Sequence, residues 1–293
     1  MTIETLKIHF TEKLDGIYPS EEVESFFFLL VEKFLKLSKV GTVLQKQDEV
    51  SEANQKQFQV AIKRLQTHEP IQYILGSTKF YGLNFKVTPA TLIPRPETEE
   101  LVDWIIRESI PPSKGVRGMF AKPPLQLLDI GTGSGCIAIS LANNLPNAEV
   151  SAIDISEEAL KVASENALYN KVAVNFIQQD ILKSENLPQK YNIIVSNPPY
   201  VRNSEKERMQ KNVLDFEPPS ALFVEDNNPL LFYSKIAQLA KNYLNPKGFL
   251  FFEINEYLSE EVIQLLESES FINIELKKDF FGKDRMIKCT LGE

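Results

Sequence analysis

What most constrains the fold of this chain is an alternation that begins after Pro124. Apolar segments at 125–130, 150–154, 172–177, 191–195 and 249–254 are of strand length, and helical patterns fill the intervals at 137–145, 157–169, 230–244 and 260–266. Strand and helix in turn let parallel strands lie side by side while the helices cover both faces of the sheet. The expected class is α/β, a doubly wound, Rossmann-like, mostly parallel sheet. Two last apolar runs, 271–276 and 286–291, have no helix between them and are expected to pair as an antiparallel edge.

The first seventy residues follow a different rule. Ile3, Leu6, Phe10 and Leu14 form one stripe at helical spacing, Val23, Phe26, Phe27, Leu30, Val31 and Phe34 a second, and Phe58, Ile62 and Leu65 a third. A small all-helical domain over residues 1–72 is expected, with turns at Tyr18-Pro19-Ser20 and across 39–50. From Glu69 the chain becomes aromatic, β-branched and punctuated by Gly76 and Gly82, which reads as a connecting hairpin over 73–96. The catalytic domain is placed at 97–293, with 111–124, rich in Pro and Lys, as a surface loop.

Composition narrows the function. A net charge of −8 argues against a surface built to neutralise phosphates, so no direct nucleic-acid partner is expected. The longest apolar stretch, 26–31, is far too short to cross a bilayer, and the first residues lack the layout of a secretory signal, so no membrane partner is expected and the cytoplasm is the default compartment. Cys136, Cys289, His9 and His68 offer no zinc-ligand spacing. Both cysteines read as core thiols.

Chemistry enters at the turn after the first strand, Asp129-Ile-Gly131-Thr132-Gly133-Ser134-Gly135. Glycines there let a ligand approach the backbone, and the following helix offers free N–H groups. Asp154 ends the second strand, where α/β nucleotide sites hold a carboxylate for ribose hydroxyls. Asp180 follows the third, with Ile181 beside it where an adenine edge would lie. Together these residues point to an adenosine ligand. The glycine spacing is not that of dinucleotide sites, and Asp129 just upstream would repel a pyrophosphate but attract a cation. S-adenosylmethionine, with its sulfonium and ammonium, therefore fits better than NAD.

The fourth strand ends in Ser196-Asn197-Pro198-Pro199-Tyr200. Adjacent prolines give up backbone donors and keep their carbonyls. Asn197 adds a carboxamide oxygen, so two acceptors stand close together, matching the two N–H groups of a planar NH2. Tyr200 supplies a flat ring to lie against an amide or a base. Asn197, Pro198, Pro199 and Tyr200 are the candidate catalytic residues. An amide or exocyclic amino nitrogen is a poor nucleophile, and acceptors that hold both hydrogens orient it for methyl transfer. The motif leaves amide and base both open.

Longer stretches separate them. Glu69-Pro70-Ile-Gln72-Tyr73-Ile-Leu-Gly76, Phe80-Tyr81-Gly82, Leu92-Ile-Pro94-Arg95-Pro96-Glu97-Thr98-Glu99, Phe216-Glu217-Pro218 with Ala221-Leu222, and Asp284-Arg285 occur in that order. In these segments, and in its helical front, nearly the whole chain resembles the protein-(glutamine-N5) methyltransferases that modify peptide-chain release factors. The resemblance implies a class I S-adenosylmethionine-dependent methyltransferase domain. It implies the glutamine of the Gly-Gly-Gln tip of a class 1 release factor as acceptor, release-factor recognition by the helical domain, cofactor contacts from the glycine loop, Asp154 and Ile181, and an amide clamp formed by Asn197 through Tyr200. The chain departs from the pattern at Asn255 and Leu258, where the family carries Gly and Gln, and near 226–229, which lacks a glycine. The runner-up is an adenine or guanine amino methyltransferase using the same clamp on a flipped base. A third reading is a non-enzymatic S-adenosylmethionine-binding module, which would have no need of a clamp shaped to an NH2.

Overall fold

The computed structural model describes residues 1–109 and 123–292, in two compact units. The expected surface loop at 111–124 lies, apart from its last two residues, outside the described residues.

One unit comprises Met1–Ser77 together with Gln210–Phe216. Its helices are α1 (Ile3–Leu14), α2 (Ser20–Leu35), α3 (Lys39–Leu44), α4 (Glu52–Gln66) and α5 (Ile71–Leu75). The three expected stripes all turn inward: Phe10, Phe27 and Phe58 are fully buried and meet with ring centroids 5.6 to 6.4 Å apart. Hydroxyls cap the helix starts, Thr2 accepting from the Thr5 N–H, Ser38 from Gly41 and Ser51 from Asn54. Two expectations are corrected. The region 39–50 is not all turn, because the Ser38 cap nucleates α3. The segment after Glu69 is not hairpin either: Pro70 opens α5, Gly76 closes it with φ +69°, and Ile71 joins the helical core. This unit therefore runs to Ser77, past the expected boundary at 72.

The other unit comprises Thr78–Met209 and the chain from Glu217. It opens with the hairpin β1 (Ser77–Phe80) and β2 (Leu83–Lys86), followed by α6 (Pro96–Ser109), β3 (Leu125–Ile130), α7 (Cys136–Asn144), β4 (Ala148–Asp154), α8 (Glu157–Tyr169), β5 (Asn175–Gln178) and β6 (Tyr191–Ser196). Then come β7 (Val201–Arg202), α9 (Lys211–Phe216, which clusters with the helical unit), β8 (Phe223–Val224), α10 (Leu231–Tyr243), β9 (Leu244–Glu253), α11 (Ser259–Ser268), β10 (Phe271–Lys278) and β11 (Asp284–Leu291). Seven strands form one sheet in the order β10-β11-β9-β6-β3-β4-β5. The five from β9 to β5 are parallel, and β11 runs antiparallel to both its neighbours. The expected edge hairpin is present, with the last strand inserted between β9 and β10.

Alternate residues of each central strand face opposite layers. Leu127, Ile193 and Phe251 pack with Leu101 and Ile105 of α6 and Ile139 of α7; Leu128, Ile194 and Phe252 pack with Tyr233 and Ile236 of α10 and Val262 of α11. Two strand starts differ from expectation by three residues or more. Val172 still donates to the Ala167 carbonyl in the turn that ends α8, so β5 starts only at Asn175. Strand β9 starts early, at Leu244, and an irregularity in its pairing with β6 absorbs Pro246 and Gly248. The chain runs outward from β3 through β4 to β5, then returns to the other side of β3 as β6. That reversal leaves a crevice at the carboxyl ends of β3 and β6, where open α/β sheets bind ligands.

Candidate active site

The glycine loop joins β3 to α7 at this crevice. It is held from both sides: the Thr132 hydroxyl donates to Asp129 Oδ2 at 2.6 Å, and the Gly131 and Thr132 N–H groups donate to the Ile153 carbonyl of β4. Gly131 and Gly133 adopt φ of +77° and +56°, and a Cβ on either would project into open space. Gly135 serves another purpose, since a Cβ there would lie 2.8 Å from Ile139 Cδ1 and 3.1 Å from Ala163 Cβ. It lets the loop pack closely on α7 and α8.

Above the loop lies a cavity of about 550 Å³. Gly131, Gly133, Asp154, Asp180 and Ile181 line it, together with Asn197, Pro198 and Pro199. Asp129, Thr132, Ser134 and Gly135 do not line it. Asp129 is fully buried and Thr132 and Ser134 nearly so, which makes them the loop's foundation rather than its surface. Asp154 reaches the cavity while accepting the Gly133 N–H at 2.8 Å and the Ser156 N–H at 2.9 Å. A carboxylate has about four lone-pair directions, so acceptor capacity remains for a ligand hydroxyl. Asp180 accepts the Leu182 N–H and pairs with Lys183 at 3.1 Å.

Burial raises the Asp129 carboxyl to about 7; the Thr132 hydroxyl and the Ala138 N–H offset only part of this, and Asp154 adds repulsion. Its Oδ1 is buried with no hydrogen-bond partner. Burial also raises Asp154, against the N–H groups of Ser156, Gly133 and Ile155, whereas the Lys183 hydrogen bond holds Asp180 below the usual carboxylate range. An under-satisfied buried carboxylate beneath a loop favours a cation above it. With Ile155, Ile181 and Leu182 as apolar walls for a base and Asp154 for a ribose, the donor set fits S-adenosylmethionine.

The Asn197–Tyr200 segment leaves β6 after Ser196, whose hydroxyl donates to the Ile130 carbonyl at 2.7 Å and ties β6 to β3. A second, small cavity of about 50 Å³ adjoins the segment. Asn197 and Pro198 line both cavities; Tyr200, Arg95 and Glu253 line only the small one. The Tyr200 hydroxyl donates to Glu253 Oε1 at 3.2 Å, and burial together with the Glu253 charge pushes this phenol well above its ordinary value, so it stays protonated. Sequence reasoning missed Glu253 and Thr98 as site residues, although Thr98 stood inside a stretch that carried the resemblance and Glu253 in the strand segment just before the departure at Asn255. It noted Asn255 only as a departure. Asn255 Nδ2 donates at 3.0 Å both to the Tyr200 carbonyl and to Glu205 Oε2, so the extra carboxamide braces the end of the segment. Glu217 anchors the other wall, accepting the Ile93 N–H at 3.1 Å and Arg95 Nη2 at 2.5 Å.

Residues 6–76 match the model of the PrmC N-terminal domain, and 118–216 that of the methyltransferase small domain. A release factor glutamine methyltransferase of Flavobacterium psychrophilum is 51% identical over 290 residues, covering 99% of each chain. The chain belongs to the release factor glutamine methyltransferase family. A second member, from Bacteroides thetaiotaomicron, is 45% identical over 95% of this chain and 96% of its own. Among solved structures, the hMettl16 catalytic domain in complex with a MAT2A 3′UTR hairpin superposes with a TM-score of 0.54 at 14% identity, over 83% of each chain. That likeness concerns the fold, the class I S-adenosylmethionine-dependent methyltransferase sheet. Members of this family are S-adenosylmethionine-dependent methyltransferases, and the cavity over the glycine loop suits that cofactor. Among the described residues no helix is long and apolar enough to cross a membrane.

Proposed function

We propose that this protein methylates the side-chain amide nitrogen of the glutamine in the Gly-Gly-Gln motif of class 1 peptide-chain release factors. The observation that carries the reading is that Asn197 and Pro198 wall both cavities, so one pair of acceptors faces the cofactor space and the acceptor space together. The size of the second space favours an amide over a base. An engineered cavity of about 150 Å³ binds benzene, and a purine is larger than benzene. About 50 Å³ suits the end of a glutamine.

The cofactor, when bound, supplies a methyl group on a sulfonium. The residues of the chain position the acceptor. Asn197 Oδ1 and the Pro198 carbonyl accept the two amide hydrogens, which fixes the nitrogen and concentrates electron density on it. Pro199 contributes no competing N–H and holds the turn. Tyr200 closes the far side of the small cavity, and its protonated phenol, bound to Glu253, neither takes nor gives a proton at neutral pH. The proton left on the methylated nitrogen departs to Asn197 Oδ1 or to water. Asp154 and Asp180 hold the adenosine, Ile181 contacts its base, and Asp129 supports the loop. The helical unit recognises the release factor, and the reaction takes place in the cytoplasm, without membrane or nucleic acid.

The test is mass spectrometry of a release-factor digest after incubation with enzyme and cofactor. One added methyl on the Gly-Gly-Gln glutamine is expected, with DNA and ribosomal RNA unlabelled; label in nucleic acid alone would overturn the reading. N197A should bind the cofactor normally yet lose turnover by about 10² or more.

A further inference from the structure

The Asn197 carboxamide has two faces of similar shape, and only one orientation presents an acceptor. The structure assigns the choice to Thr98 and Glu253: we propose that they are positioning residues that lock the Asn197 carboxamide with its oxygen toward the acceptor nitrogen. This rests on the role of Asn197 proposed above.

The chain of bonds carries the argument. Thr98 stands in the first turn of α6, Glu253 ends β9 and Asn197 follows β6, so three separate elements converge. Thr98 and Glu253 are 2% and 1% exposed. The Thr98 hydroxyl donates to Glu253 Oε2 at 2.6 Å, and Asn197 Nδ2 lies 3.4 Å from Thr98 Oγ1. A hydroxyl has a single hydrogen. Because that hydrogen is committed to a carboxylate, which only accepts, Thr98 has nothing but lone pairs to offer Asn197. The carboxamide must then turn its NH2 toward Thr98, which leaves Oδ1 on the opposite side. The same carboxylate accepts the Tyr200 hydroxyl through Oε1 at 3.2 Å, so one buried group sets both ends of the Asn197–Tyr200 segment. Arg285 lies near enough to stabilise its charge, against the burial that raises its pKa. Its other partners are fixed in turn: Arg285 Nε donates to Asp279 at 3.1 Å and Nη1 to the Ile254 carbonyl at 3.3 Å.

The logic distinguishes variants of equal size. T98V keeps the shape but removes the lone pairs; T98S keeps the hydroxyl. E253Q replaces a pure acceptor with a group able to donate, which frees the Thr98 hydrogen to point at Asn197 and favours the flipped carboxamide. In the full-length enzyme with release factor as substrate, T98V and E253Q should each lower kcat by about tenfold to a hundredfold, the scale of a misplaced reacting group. KM for release factor and the calorimetric Kd for S-adenosylmethionine should move less than about threefold. T98S should recover most of the turnover. Wild-type kcat in E253Q or T98V beside an inactive N197A overturns the positioning role and leaves the role of Asn197 standing, whereas an active N197A removes the reading beneath it. Parallel losses of kcat, cofactor affinity and melting temperature in T98V and E253Q, without recovery in T98S, show a structural role only and also overturn the proposal.

Discussion

Replacing Asp129 by Asn tests the account of the glycine loop most sharply. The residue is fully buried, Oδ2 accepts the Thr132 hydroxyl, the Ala138 N–H lends a further stabilising interaction, and Oδ1 has no hydrogen-bond partner. Its carboxyl rises from 3.8 to about 7, a difference of roughly 3 pH units, and each unit corresponds to about 1.4 kcal/mol. In the cofactor-free protein the folded state therefore holds this proton more tightly than the unfolded chain does. Stability from this group is fully present below about pH 4 and is lost as pH rises to about 7, by roughly 4 kcal/mol at most. Asn carries no such titration, and the cost of its own buried NH2, about 1–3 kcal/mol, does not change with pH. The melting temperature of D129N relative to wild type, measured by calorimetry without cofactor, should thus climb by several degrees between pH 4.5 and pH 8. Saturating S-adenosylmethionine should narrow the difference, since a cationic ligand favours the ionised carboxylate. A difference that stays flat across that range would refute the reasoning.

Two other outcomes follow from the packing. N255A removes the two hydrogen bonds to the Tyr200 carbonyl and Glu205, which should lower the urea midpoint by the equivalent of about 2 kcal/mol; an unchanged midpoint would show that the brace is idle. F27A empties the centre of the aromatic cluster of Phe10, Phe27 and Phe58, at about 3–5 kcal/mol. Residues 1–77 should then become protease-sensitive while S-adenosylmethionine still binds, and loss of cofactor binding would contradict the division into two units.

Much of this protein follows from local sequence. Strand and helix alternation fixes the doubly wound sheet because each segment must bury a face of its own period, and the helical stripes of Phe10, Phe27 and Phe58 need only each other to make a core. The order of glycine loop, Asp154, Asp180 and Asn197–Tyr200 places the site, since in a parallel sheet all these turns emerge at the same edge. Tertiary structure decided what spacing cannot express. Asp129 belongs beneath the glycine loop, not on the cavity wall, because inward or outward facing at a strand end depends on what packs beyond it. Short-range chemistry overruled wider pattern at Ser38 and Pro70, which start helices where turn and hairpin were expected. Above all, Thr98, Asn197 and Glu253 are far apart in the chain and meet only because α6, β6 and β9 converge on one buried carboxylate. The sequence names the residues able to hold an amide; the direction in which Asn197 faces depends on hydrogen bonds that exist only after folding.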